Sequence, residues 1–169
     1  MVPVISFIGR HNSGKTTVLS GVIQYLKQAG YKVAVIKHAH HSLDISVHKD
    51  SELFLRAGAD YVCASSPGLM LKYQRRKNEA DINSLLSEVP AGFDLIIVEG
   101  YKNEALLKIE VLRENIDPEP MLLPQTIALV SDFPLPAEIN VFPHQAIEDI
   151  AQFLLAALNI NRQSDRNTP

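Results

Sequence analysis

The chain has a single cysteine, Cys63, which rules out an internal disulfide and a cysteine-rich zinc site. That usage fits a reducing, cytoplasmic setting. It has no basic excess: the formal net charge is −3, against the surplus of Lys and Arg a general nucleic-acid binder carries. It has no apolar run approaching the roughly 18–20 residues that a membrane helix needs. The first residues, MVPVISFIG, lack the basic region of a signal peptide. Internal repeats and low-complexity blocks are also missing. No nucleic-acid or membrane partner is therefore expected.

What is present is a core. Hydrophobic residues make up 46% of 169 residues, enough for one packed domain. The expected boundaries are 1–160 for that domain and 161–169 for a polar, disordered tail, NINRQSDRNTP being its approach. Residues 2–8 read as a buried strand ending at Gly9. Val18, Leu19, Val22, Ile23 and Leu26 keep helical spacing from Thr16 to Ala29, and residues 31–37 form the next strand. Strand, helix, strand in this span is a βαβ unit with parallel strands. A short helix follows, capped by Asp50 or Ser51, then a hairpin turning at Pro67-Gly68 with Cys63 as a buried small hydrophobe. Ile82, Leu85, Leu86 and Val89 mark another helix. Residues 94–100 and 126–132 read as buried strands and LLKIEVLR as a half-buried one, its charges turned to solvent. A last helix carries Ile147, Ile150, Ala151, Leu154, Leu155 and Leu158. The fold class is α/β, a three-layer P-loop NTPase domain with a mostly parallel central sheet.

The P-loop is the strongest signal. Gly9-Arg10-His11-Asn12-Ser13-Gly14-Lys15-Thr16 matches G-x-x-x-x-G-K-[ST], a pattern expected by chance in such a length roughly one time in 200. It lies between a strand and a helix, as it must. Backbone N–H groups of Gly9, His11, Asn12, Ser13 and Gly14, and the positive helix end, would cradle phosphate. Lys15 would bridge the β- and γ-phosphates, Thr16 would bind Mg²⁺ and Thr17 would approach the α-phosphate. Glu99, at the end of the apolar run DLIIVE, is placed to hold Mg²⁺ or orient a nucleophile. Asp94 reads as the residue that starts that strand. The guanine motif N-K-x-D is missing, although Asp132 follows a buried strand where a carboxylate could meet guanine N–H groups.

Four of the six histidines, His38, His40, His41 and His48, crowd VIKHAHHSLDISVHKDS together with Lys37, Asp44 and Asp50. This segment leaves the strand after the P-loop helix, so it should overhang the phosphate site. An anion- or substrate-facing loop, a polar structural loop and a histidine metal site all remain open readings. Lys37 and His38 are the candidates for phosphate contact, and Asp44 the candidate for orienting water. Lys102 is a further candidate for an anion.

GRHNSGKTT, IKHAHH…D…KDS…RAGA, DLIIVEGYK and LVSDFP occur in the order seen in MobB, the molybdopterin-guanine dinucleotide biosynthesis protein B family, which this chain resembles over about residues 4 to 150. The resemblance implies a homodimeric P-loop protein that binds GTP with Mg²⁺ and hydrolyses it slowly. It implies a partner, the molybdenum cofactor guanylyltransferase, and a possible contact with molybdopterin itself. The family positions carried over are Gly9 to Thr17, Asp44, Glu99 and Lys102. Two rivals stay open: a small-molecule P-loop kinase, and an adapter that binds nucleotide without turnover.

Overall fold

A computed structural model describes residues 2–39, 49–116, 118–136 and 138–161. Two compact units emerge, Met1–His38 with Leu86–Pro169, and Ala39–Leu85.

The larger unit is built on a six-stranded sheet. Its strands are β1 (Val4–Ile8), β2 (Val33–Lys37), β5 (Leu95–Glu99), β6 (Leu107–Val111), β7 (Thr126–Ser131) and β8 (Asn140–Pro143). Their order is β2-β5-β1-β6-β7-β8, all parallel. The parallel α/β architecture expected from the sequence is present. One face carries the apolar core: Ile5, Phe7, Ile97, Ile109, Val111 and Val130 meet Val18, Leu19, Val22 and Leu26 of α1 (Lys15–Gln28) and Ile150, Ala151 and Leu154 of α4 (Ile147–Ala157). Burial of the Val, Leu, Ile and Phe side chains among them is the main stabilising term, about 1.5–3 kcal/mol each.

The opposite face is different over β1 and β6, where irregular segments lie on the sheet. The sequence reading of LLKIEVLR is corrected here. Strand β6 is central rather than half-exposed, and Lys108 and Glu110 are each only 2% accessible. Their charges meet loop backbone instead of water. Lys108 Nζ donates to the carbonyls of Glu104 (2.6 Å), Leu106 (2.9 Å) and Pro124 (3.1 Å). Glu110 accepts the N–H groups of Met121 (2.8 Å) and Leu122 (3.0 Å). Ser6 Oγ donates to Gly100 O at 2.6 Å. Loop backbone laid on a sheet must be satisfied, and these three strand side chains do so.

The smaller unit holds α2 (Lys49–Arg56) and the antiparallel pair β3 (Tyr61–Ser66) and β4 (Leu69–Gln74). The hairpin turns at Pro67-Gly68 as expected. Helix α2 begins one residue earlier than its expected cap, so Asp50 and Glu52 lie in its first turn, where carboxylates favour the helix dipole. Leu55 of α2 and Val62 of β3 are buried. Cys63 is exposed, not buried, because alternation along β3 turns it away from the side of Val62. Helix α3 (Ile82–Glu88) starts where Asp81 Oδ1 accepts the Ser84 N–H at 3.0 Å. Asp94 opens β5, accepting the Lys32 N–H at 2.6 Å. Strand β8 escaped the sequence reading: four residues ending in proline give little periodic signal.

Candidate nucleotide-binding site

Parallel strands place their C-terminal ends on one edge, where α/β sheets bind ligands. The loop from Gly9 to Gly14 leaves β1 there. At Gly9, φ is 144° and an added Cβ would lie 2.2 Å from Val111 O, so only glycine fits against β6. Gly14, with φ 92°, forms the N-cap of α1; no side chain caps that helix start and no acid lies in its first turn. Its N–H groups and positive end are suited to an anion. Ser13 is 1% accessible, and its hydroxyl has no hydrogen-bond partner among the described residues. A glycine cradle, an uncapped helix start and an orphaned hydroxyl fit a phosphate group. His11 and Asn12 are exposed on the loop, as are Thr16 and Thr17 on the first turn of α1.

The Lys15 ammonium folds across the loop to the carbonyls of Gly9 (3.0 Å) and Arg10 (2.5 Å). Burial lowers its pKa below the usual 10.5; the Glu99 carboxylate works against that and Lys37 with it. Thr16 Oγ1 donates to Glu99 Oε1 at 3.3 Å. Lys37, paired with Glu99 across the β2–β5 ladder, brings Nζ to 2.7 Å from the same oxygen. Lys15, Thr16, Lys37 and Glu99 are thus brought together. Two oxygens 3.3 Å apart approach the roughly 3 Å spacing of adjacent ligands around octahedral Mg²⁺.

The rest of the expected set is only partly described. His38 donates its backbone N–H to Glu99 O at 2.9 Å and stacks its ring on Tyr101, centroids 4.6 Å apart. His40, His41, Asp44 and His48 lie outside the described residues, as does the tail from residue 162. Among the described residues no group of three or more His, Cys, Asp or Glu is arranged to hold a metal. Lys102 lines a cavity of about 350 Å³ with Glu104, Lys108 and Gln125, apart from the phosphate loop. Asp132 Oδ1 accepts the Glu114 N–H at 2.9 Å and Oδ2 stands 3.7 Å from Arg113 Nε. Two side chains not singled out in the sequence reach the loop: Arg113 and His144 both border Gly14. Each follows a strand at its C-terminal end, the one signal that could have found them.

Comparison with known proteins gives the family and the fold. The family model "Molybdopterin guanine dinucleotide synthesis protein B" (MobB) matches residues 4–132. The chain belongs to this family. It is 31% identical over 162 residues to the molybdopterin-guanine dinucleotide biosynthesis adapter protein of Escherichia coli K12, covering 92% of this chain and 93% of that one. Its fold superposes on a crystal structure of molybdopterin-guanine biosynthesis protein B with TM-score 0.74 and 27% identity, covering 92% of this chain and 99% of that one. Bacillus subtilis MobB shares the fold at TM-score 0.76 and 20% identity, with 94% and 99% coverage. No helix among the described residues is long and apolar enough to cross a membrane.

Proposed function

We propose that this MobB-family chain is a GTP-binding adapter of molybdopterin-guanine dinucleotide biosynthesis, with Mg²⁺ as its metal and slow GTP hydrolysis as its activity. The observation that carries the reading is the convergence of Lys15, Thr16 and Glu99 at one end of a glycine cradle. Lys15 would exchange the carbonyls of Gly9 and Arg10 for phosphate oxygens. Thr16 and Glu99 would hold Mg²⁺, which supplies charge neutralisation on the phosphates when bound. Lys37, held by Glu99, would add a further cation at the same end. Turnover would be slow because positioning and charge dominate phosphoryl transfer, and the described residues of this site offer few groups for orienting water. GTP rather than ATP follows the guanine in the family's product.

The adapter role calls for a partner surface, for which the guanylyltransferase and a second copy of the chain are the candidates. The smaller unit supports it: Leu53, Phe54, Tyr61, Leu69 and Met70 are all more than half exposed. The test of the nucleotide reading is calorimetry with GTP and ATP, each with and without Mg²⁺, on the wild type and on Lys15→Ala. GTP binding that needs Mg²⁺ and vanishes in Lys15→Ala is expected. Equal GTP affinity in the two proteins would overturn it. Phosphate release measured with the partner present separates slow hydrolysis from an adapter without turnover, and a phosphorylated metabolite would indicate a kinase.

A further inference from the structure

Glu99, Lys37 and Thr16 flank one side of the phosphate loop. On the other side the sheet continues through β6, β7 and β8, and Arg113, Asp132 and His144 follow the ends of these strands. Two of them close on the loop. A Cβ built on Gly14 would lie 3.2 Å from Arg113 Nη2, 3.3 Å from His144 Cε1 and 3.5 Å from His144 Nδ1. His144 Nε2 lies 2.6 Å from Leu112 O. A carbonyl only accepts, so the ring proton sits on Nε2, and in the neutral ring Nδ1 is the acceptor, beside Gly14. Asp132 Oδ1 is anchored by the Glu114 N–H, and its Oδ2 faces Arg113 Nε at 3.7 Å. The carboxylate therefore steadies the guanidinium from its Nε edge and leaves Nη2 at the loop.

We infer that Arg113 and His144 are nucleotide-contacting residues and that Asp132 is a positioning residue for Arg113. The inference rests on the nucleotide-binding reading above. The metal and the γ-phosphate belong with Thr16 and Glu99, so the α-phosphate and sugar must run the other way, over Gly14 towards β6 and β8. Arg113 there is a side-chain cation for the polyphosphate on the side away from Lys15 and Lys37, its planar fork suited to phosphate oxygens. His144 Nδ1 accepts from a sugar hydroxyl. Asp132 thus acts through Arg113 rather than reading the base directly.

Calorimetry on the full chain tests this with GTP, GDP and 2′,3′-dideoxy-GDP. Arg113→Gln should weaken GTP and GDP by a similar factor, about tenfold or more. Arg113→Lys, which keeps the charge, should retain part of the affinity and serves if the glutamine variant fails to fold. His144→Ala should weaken GDP several-fold and leave dideoxy-GDP unchanged. Asp132→Asn should weaken GDP in the wild-type background and have no effect in Arg113→Gln. Absence of nucleotide binding by the wild type would defeat the P-loop reading itself. Binding by the wild type that Arg113→Gln and His144→Ala leave untouched would overturn this inference alone. A loss confined to GTP would move Arg113 to the γ-phosphate and overturn the α-side assignment. Additive effects of Asp132→Asn and Arg113→Gln would overturn the positioning role.

Discussion

Thr16 and Glu99 stand 3.3 Å apart, hydroxyl to carboxylate, although 83 residues separate them in the chain. Thr16 lies in the first turn of α1 and Glu99 closes β5, and the adjacency of β5 and β1 brings them together. The Glu99 oxygen nearest Thr16 also receives Lys37. One carboxylate therefore links the first turn of the phosphate-loop helix to the edge strand.

Glu99→Gln keeps the shape and removes the charge. It should lower the Mg²⁺-dependent part of GTP affinity by about tenfold or more, and leave metal-free nucleotide binding little changed. Titrations of GTP in Mg²⁺ and in EDTA check this. Equal Mg²⁺ dependence in the two proteins would remove Glu99 from the metal site.

The lowered pKa of Lys15 gives binding a pH dependence. In the free protein the ammonium loses its proton below the usual 10.5, whereas bound phosphate would raise its pKa again. Between the two values binding takes up a proton, so affinity should fall as pH rises through that window. Calorimetry at alkaline pH in buffers of different ionisation enthalpy should detect this uptake, and Lys15→Arg should abolish it.

Lys108→Met would leave three loop carbonyls facing an apolar side chain. The expected loss is about 2–5 kcal/mol of unfolding free energy, read from denaturant melts. Glu110→Gln places an NH₂ group against backbone N–H groups, and should cost about 1–3 kcal/mol. Variants as stable as the wild type would show that the loops have other support.

Leu69→Asp with Met70→Asp changes two exposed residues at the hairpin. Stability and GTP binding should stay within error, while association with the guanylyltransferase or with a second copy weakens. Sedimentation of the chain alone and mixed with the enzyme distinguishes the two, and unchanged association in both would locate the partner surface elsewhere.

The phosphate loop was legible because its chemistry is local: the spacing of Gly9, Gly14, Lys15 and Thr16 carries its own geometry. Glu99 was legible because a long apolar strand ending in an acid has few other meanings. Arg113 and His144 were not, since only the lateral order of β6, β7 and β8 brings them to Gly14. Strand β8 was too short to announce itself, and Val35 of β2, 49% exposed, shows an edge position that apolar composition did not reveal. Lys108 and Glu110 misled for a physical reason. Alternating charge ordinarily signals water on one face, but loop backbone offers the same hydrogen bonds.

That substitution of backbone for water makes β6 a template as well as a wall. Its lysine gathers three carbonyls and its glutamate two amides, so the positions of the segments around residues 104–106 and 121–124 are written into the strand that lies between them in the chain. Loops held this way should not drift independently: lengthening one or exchanging it between relatives would also require a matching change in the strand beneath.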